Sequence, residues 1–218
     1  MAQQKQRNIK LNTPEGVAKF PWLSQPDTRF NDAGEYSVNL VLPEDDEKTI
    51  ALKEKIDGIF ATFQKTLKGA KAKKPADSLG YEAEFTEDGD ETGNVIFKFK
   101  AKTGYISKKT NAWVPMNPPK LFDSKLQPIP NGTDIWGGST MIVNFTPAPY
   151  DHGKNIGVTL RLNAVQIIQI VNGQAGQTAE GFGFGEEEGY TQAPDMGEEA
   201  YEDPEVPATN TDADEDDF

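Results

Sequence analysis

The chain contains no cysteine, which removes disulfides, cysteine nucleophiles and thiolate zinc sites. Its only histidine is His152, so neither a His-based catalytic pair nor a His-rich metal site can be assembled. No run approaches the ~20 apolar residues of a membrane-spanning helix. The opening MAQQKQRNIK lacks the apolar stretch of a signal peptide. A soluble intracellular protein that needs no cofactor is expected. Basic residues are also missing from one region: between Glu180 and Phe218 there are 15 acidic residues and no Lys or Arg.

That last absence reinterprets the net charge of -13. Residues 1–179 hold the other 20 acidic and all 22 basic residues, a net of +2. The chain is therefore a slightly basic body carrying a polyanion, and its mean charge describes neither part. Beyond Val171 the sequence offers Gly, Pro, Glu and Asp with almost no aliphatic side chains. Such a composition buries too little apolar surface to offset chain entropy. The expected division is a folded domain over 1–175 and a disordered acidic tail over 176–218.

What is present in the body is mostly β patterning. Asn8–Leu11, Val17–Phe20 and Glu35–Leu42 read as strands, the last with Tyr36, Val38, Leu40 and Leu42 at period two. A helix is expected from Glu44 to about Lys68. Asp45 and Asp46 cap its start, lysines complement its end, and Leu52, Ile56, Ile59, Phe60, Phe63 and Leu67 line one face. Lys71 to Gly93 reads as a polar connection and Asn94–Lys102 (NVIFKFKAK) as a strand. Tyr105–Ser107 and Ala112–Met116 are short strand candidates. The five prolines from Pro115 to Pro130 require irregular backbone apart from short pieces near Leu121–Phe122. Ile135–Pro147 and Ile156–Val171 read as long strands, with a bulge at Asn163-Ala164 where the alternation shifts. The fold class is mainly β: an OB-fold barrel with an inserted helix.

A protein that holds unstacked nucleic acid needs cations for phosphates and flat side chains for bases. In NVIFKFKAK, Lys98, Lys100 and Lys102 share one face of a strand while Phe97 and Phe99 share the other. The lysines make a candidate basic ridge, with Lys108 and Lys109 following; the phenylalanines are expected in the core. Tyr105, Trp113 and Tyr150 are candidate stacking rings because each sits at a strand end or in a polar setting. Trp22 and Phe30 rank behind them, and Trp136, beside Gly137-Gly138, is expected to pack internally. Arg161 alternates with apolar neighbours and should point outward, within reach of phosphate. His152 is expected in a loop. Gly181–Gly185 lacks the Lys-Ser/Thr of a phosphate loop, and no carboxylate pair has a reason to be catalytic. In the acidic run, Asp214, Glu215, Asp216, Asp217 and Phe218 combine a polyanion with a ring. That pairing imitates a nucleic-acid strand and would suit either the body's own groove or a basic pocket on a partner. Tethering gives the tail an effective concentration of roughly millimolar.

Taken in order, several fragments resemble the acidic-tailed single-stranded DNA-binding proteins of tailed phages, of the replication type found in podoviruses. They are Gly34–Pro43, Phe97–Lys100, Phe122–Lys125, Ile135–Ser139, Pro149-Tyr150, Gly157–Val165, Gly183–Gly185 with acid after it, and Asp217-Phe218. The sequence departs from the family pattern at Ala33, where a basic residue is usual, and at Asp151-His152, where a tryptophan follows the tyrosine. The resemblance implies an OB-fold with a helix between strands and annealing of complementary strands. It also implies a tail whose aromatic contacts the phage DNA polymerase and other replication proteins, in the cytoplasm of an infected bacterium. A homodimer formed by exchanging tails is compatible with the sequence and not required by it. Two rivals remain open: an OB-like interaction or DNA-mimic module with no DNA binding of its own, and a nuclease.

Overall fold

The computed structural model describes residues 9–130 and 132–171. The expected tail residues Asp214, Glu215, Asp216, Asp217 and Phe218, and the Gly181–Gly185 segment, lie outside them. The described elements are β1 (Leu11–Asn12), β2 (Gly16–Asp27), β3 (Glu35–Pro43), α1 (Glu47–Gln64), a 3-10 turn over Gly69–Lys73, β4 (Tyr81–Phe85), β5 (Glu91–Lys102), β6 (Gly104–Ile106), β7 (Trp113–Pro115), β8 (Lys120–Phe122), β9 (Thr140–His152) and β10 (Asn155–Gln169).

Five strands supply the frame. β2 pairs with β3, β3 with β5, β5 in parallel with β10, β10 with β9, and β9 with the start of β2. The pairings thus return to the strand where they began. Alternation sorts the side chains. Val38, Leu40, Leu42, Val95, Phe97, Phe99, Val143, Phe145, Val158 and Leu160 are buried in one cluster, while their sequence neighbours mostly face outward. Phe99 meets Phe145 with ring centroids 5.0 Å apart, and Phe97 meets Tyr81 at 5.4 Å. These tilted contacts are the arrangement aromatic quadrupoles favour.

The helix is shorter than its pattern predicts. Asp46 caps it, accepting a 2.9 Å hydrogen bond from the Thr49 amide, and Leu52, Ile56 and Phe60 join the core. After Gln64 the last turn tightens, with the Thr66 amide donating to Phe63 over 2.8 Å. Lys68, Lys71, Lys73 and Lys74 therefore fall beyond the helix. Lys71 pairs with Asp151 and Lys74 with Asp77 instead of facing the helix dipole.

Other departures have local causes. The stretch read as a polar connection contains β4, and β5 begins at Glu91 instead of Asn94. β9 starts only at Thr140 but runs through Pro147 and Pro149. Both prolines lie past the residues where β1 and β2 flank β9, so their missing N–H groups break no ladder on that side. The bulge forms as expected, with a register shift between Leu162 and Ala164. His152 is the last residue of β9 and stays exposed. Trp136 does not pack internally: it is 54% exposed. Ile135 takes the core position beside it, and the turn through Gly138, at φ 90°, leaves the indole outside.

Candidate nucleic-acid interface

The outer surface of the strands collects the expected ridge. Trp22 is in register with Ser37, Ser37 with Lys100, Lys100 with Arg161, and Arg161 with Thr146. The residues flanking each in sequence are mostly buried, so this row runs across the outside of the sheet. One step along, Lys19, Asn39 and Lys98 form a second row, and Asp27, Glu35 and Lys102 a third. Asn163, displaced by the bulge, donates to Asn144 over 3.1 Å and to Thr146 over 3.0 Å.

These cations are not equally available. Lys98 pairs with Glu82 on β4, and Lys100 pairs with Glu35 over 2.9 Å. Lys19 pairs with Glu84, a buried carboxylate that also accepts from Asn94 and Thr92. The Lys19 ammonium, followed by the Asn94 and Thr92 donors, holds the Glu84 carboxyl down at about 2. Among the described residues, Lys102, Lys108, Lys109 and Arg161 make no ion pair.

Beyond Lys102 the chain leaves the sheet as a two-stranded hairpin of β6 and β7. Its base is tied down by Thr103, whose hydroxyl donates to the Ala33 carbonyl over 2.5 Å and whose carbonyl accepts from Met116 over 2.7 Å. Lys108 and Lys109 form its exposed tip, closed by Asn111 at φ 51°, a conformation asparagine tolerates. Tyr105 is 52% exposed and Trp113 49%, but they project from opposite faces. Tyr105 is in register with Val114, whereas Trp113 opposes Ile106. The Trp113 indole lies across Gly104, where even a methyl group would collide with it. The two rings therefore cannot form one continuous stack.

Tyr150 sits apart, towards the β9–β10 turn. It is half-buried and lies over Gly157, where a Cβ would come 2.7 Å from its hydroxyl. Its ring centroid is 6.4 Å from that of His152. Three further rings that sequence reasoning does not put forward are exposed. That reasoning puts Trp136 inside, sets Phe30 behind other candidates, and gives no role to Phe20, which is 74% exposed. A signal for Phe20 exists in the adjacent Pro21, which disfavours a regular central strand; Phe20 indeed adopts φ 50° at a register shift.

The arrangement is a mainly β fold whose outer surface carries exposed rings together with Lys102, Lys108, Lys109 and Arg161, which make no ion pair among the described residues. Among the described residues, no three His, Asp or Glu side chains gather as metal ligands, and no helix is long and apolar enough to cross a membrane. Comparison with known proteins names the family. The family model "Single-stranded DNA-binding protein, Bacteriophage T7" matches residues 15–170, and the chain belongs to that family. It is 28% identical over 192 residues to the single-stranded DNA-binding protein of Enterobacteria phage T3, covering 79% of this chain and 80% of that one. To its counterpart in Escherichia phage T7 it is 26% identical over 158 residues, covering 67% of each. The solved structure of the bacteriophage T7 protein shares the fold, with a TM-score of 0.59 at 22% identity, covering 82% of this chain and 98% of that one. The single-stranded DNA-binding protein of bacteriophage Enc34, solved in complex with single-stranded DNA, also shares it, with a TM-score of 0.56 at 17% identity over 75% and 88% of the two chains.

Proposed function

We propose that the protein binds single-stranded DNA without sequence preference, during phage DNA replication and the recombination and repair that accompany it. It acts as a binder and not as an enzyme, in the cytoplasm of the infected bacterium. The observation that carries this reading is the outward row through Lys100 and Arg161, with Lys102 at the end of β5 leading directly into the β6–β7 hairpin, in a chain of this family. The ring of five strands, with β5 parallel to β10, is read as an OB-fold barrel with α1 inserted between its second and third strands. Lys102, Lys108, Lys109 and Arg161 are assigned to phosphates, Lys98 and Lys100 join them by giving up Glu82 and Glu35, and Tyr105, Trp113 and Tyr150 are assigned to bases. Because Tyr105 and Trp113 face opposite ways, they serve separate bases. Phosphate contacts make the affinity fall as salt rises, through release of condensed counterions.

The acidic tail over 176–218 is assigned two roles: competing with DNA for the same cations, and engaging the phage polymerase and other replication proteins through Asp214 to Phe218. Annealing of complementary strands and tail exchange in a homodimer belong to the same proposal. A titration of fluorescent oligo-dT against the full chain and a chain lacking Glu180–Phe218 tests the reading, with Mg²⁺-dependent cleavage scored alongside. Tighter binding without the tail, and no cleavage, are expected. Unchanged affinity would remove the competition, and no binding by either form would leave the DNA-mimic module in its place.

A further inference from the structure

The tip between β2 and β3 holds a group of side chains that has no part in those assignments. Asp27 accepts from the Arg29 amide over 3.0 Å, from Nε over 2.9 Å and from Nη2 over 2.9 Å. This fork fixes the guanidinium plane, and Arg29 in turn holds the Asp27 carboxyl below the usual carboxylate range. The fixed guanidinium carbon lies 4.8 Å from the Trp22 ring centroid and 5.6 Å from that of Phe30. Phe30 is 90% exposed, the most exposed of the large apolar side chains among the described residues. The backbone beneath it is held in place. The Gly34 amide donates to the Asn31 carbonyl over 2.7 Å, the Ala33 amide to the Asn31 side chain over 3.1 Å, and the Thr103 hydroxyl to the Ala33 carbonyl over 2.5 Å.

Three features set this group apart from an ordinary exposed arginine and phenylalanine. The Asp27 fork locks the plane of Arg29, and the guanidinium lies over both the Trp22 and Phe30 rings, so the open face left to a ligand is that of Phe30. Trp22 occupies the end of the Ser37–Lys100–Arg161 row, so the group continues the proposed interface. Thr103 ties the same tip to the base of the hairpin, so the group also lies where the strand face and the hairpin meet.

The geometry points to a nucleobase-stacking platform, formed by the exposed Phe30 ring and backed by the Arg29 guanidinium and Trp22, that takes one unstacked base of a single strand. This rests on the single-strand reading above and adds a site whose contact is to the base alone. An aromatic face accepts any base, because every base has a π-face. Binding at the platform is therefore insensitive to salt, unlike binding at the lysines.

The test uses the full chain and two oligonucleotides of equal length, oligo-dT and its abasic counterpart, each titrated across a series of salt concentrations. Phe30→Ala should weaken oligo-dT binding about fivefold to a hundredfold. It should leave the slope of log affinity against log salt as in wild type, and leave the abasic oligonucleotide unaffected. Phe30→Trp should retain wild-type affinity. Wild-type affinity of Phe30→Ala for oligo-dT, or an equal loss on the abasic strand, overturns the platform while the single-strand reading stands. A wild type that binds neither oligonucleotide overturns that reading and the platform with it.

Discussion

The strand face and the β6–β7 hairpin both carry lysines next to aromatic residues, yet the fold treats them in opposite ways. On the face, Phe97 and Phe99 are fully buried, and Lys19, Lys98 and Lys100 each meet an acid from another strand. On the hairpin, Tyr105, Ile106, Trp113 and Met116 are about half-exposed or more, and Lys108 and Lys109 have no acidic partner among the described residues. A strand inside a sheet has neighbours on both sides, which cover its apolar face and bring opposite charges within reach. A ribbon of two strands has no third strand to do either. The same local pattern thus yields a neutralised, well-packed wall in one place and an open, charged arm in the other.

The largest expected effect separates the two regions directly. Replacing Lys102, Lys108 and Lys109 together by alanine should lower the salt slope of single-strand binding by about 2, at roughly 0.7 for each phosphate no longer neutralised. Fluorescence anisotropy across a salt series reads this, and an unchanged slope would move the phosphate path off the hairpin.

A smaller effect in the opposite direction sharpens the contrast. Glu35→Gln with Glu82→Gln releases Lys100 and Lys98 from their acids. Affinity at low salt should rise, with the slope growing by up to about 0.7 for each released lysine. If the double variant binds as wild type does, the face lysines do not meet DNA.

The smallest effect is on stability. The folded Glu84 carboxyl sits at about 2 against an ordinary value of 4.5, so it favours the folded state above that ordinary value. The contribution is lost as pH falls from 4.5 towards 2. Thermal melts should show Glu84→Gln less stable than wild type at neutral pH, with the gap narrowing through that acid window. A gap that stays constant would mean the network of Lys19, Asn94 and Thr92 does not depend on the charge.

Part of this was legible from order alone. Alternation placed Phe97 and Phe99 inside and Lys98, Lys100 and Lys102 outside, located the bulge after Leu162, and identified α1 by its apolar face. β4 was missed because Tyr-Glu-Ala-Glu-Phe alternates with acids and sits among charged turns, so it reads as a linker. Trp136 was misplaced because the competition between it and Ile135 for the core is settled by a turn. The partners of the lysines were also out of reach: Lys100 meets Glu35, 65 residues away in sequence. Trp22 and Phe30 gave no sign that Arg29 would lie against both.

The sequence by itself determined the charge segregation, the β character and the inward or outward sense of most strand residues, because these follow from composition and a two-residue period. Which cations are spent on acids, which rings stay in solvent, and which of them share a surface were decided by the tertiary structure. Those properties depend on strands distant in sequence coming into register, and Coulombic pairing and ring contact act over a few ångströms of space whatever the separation along the chain.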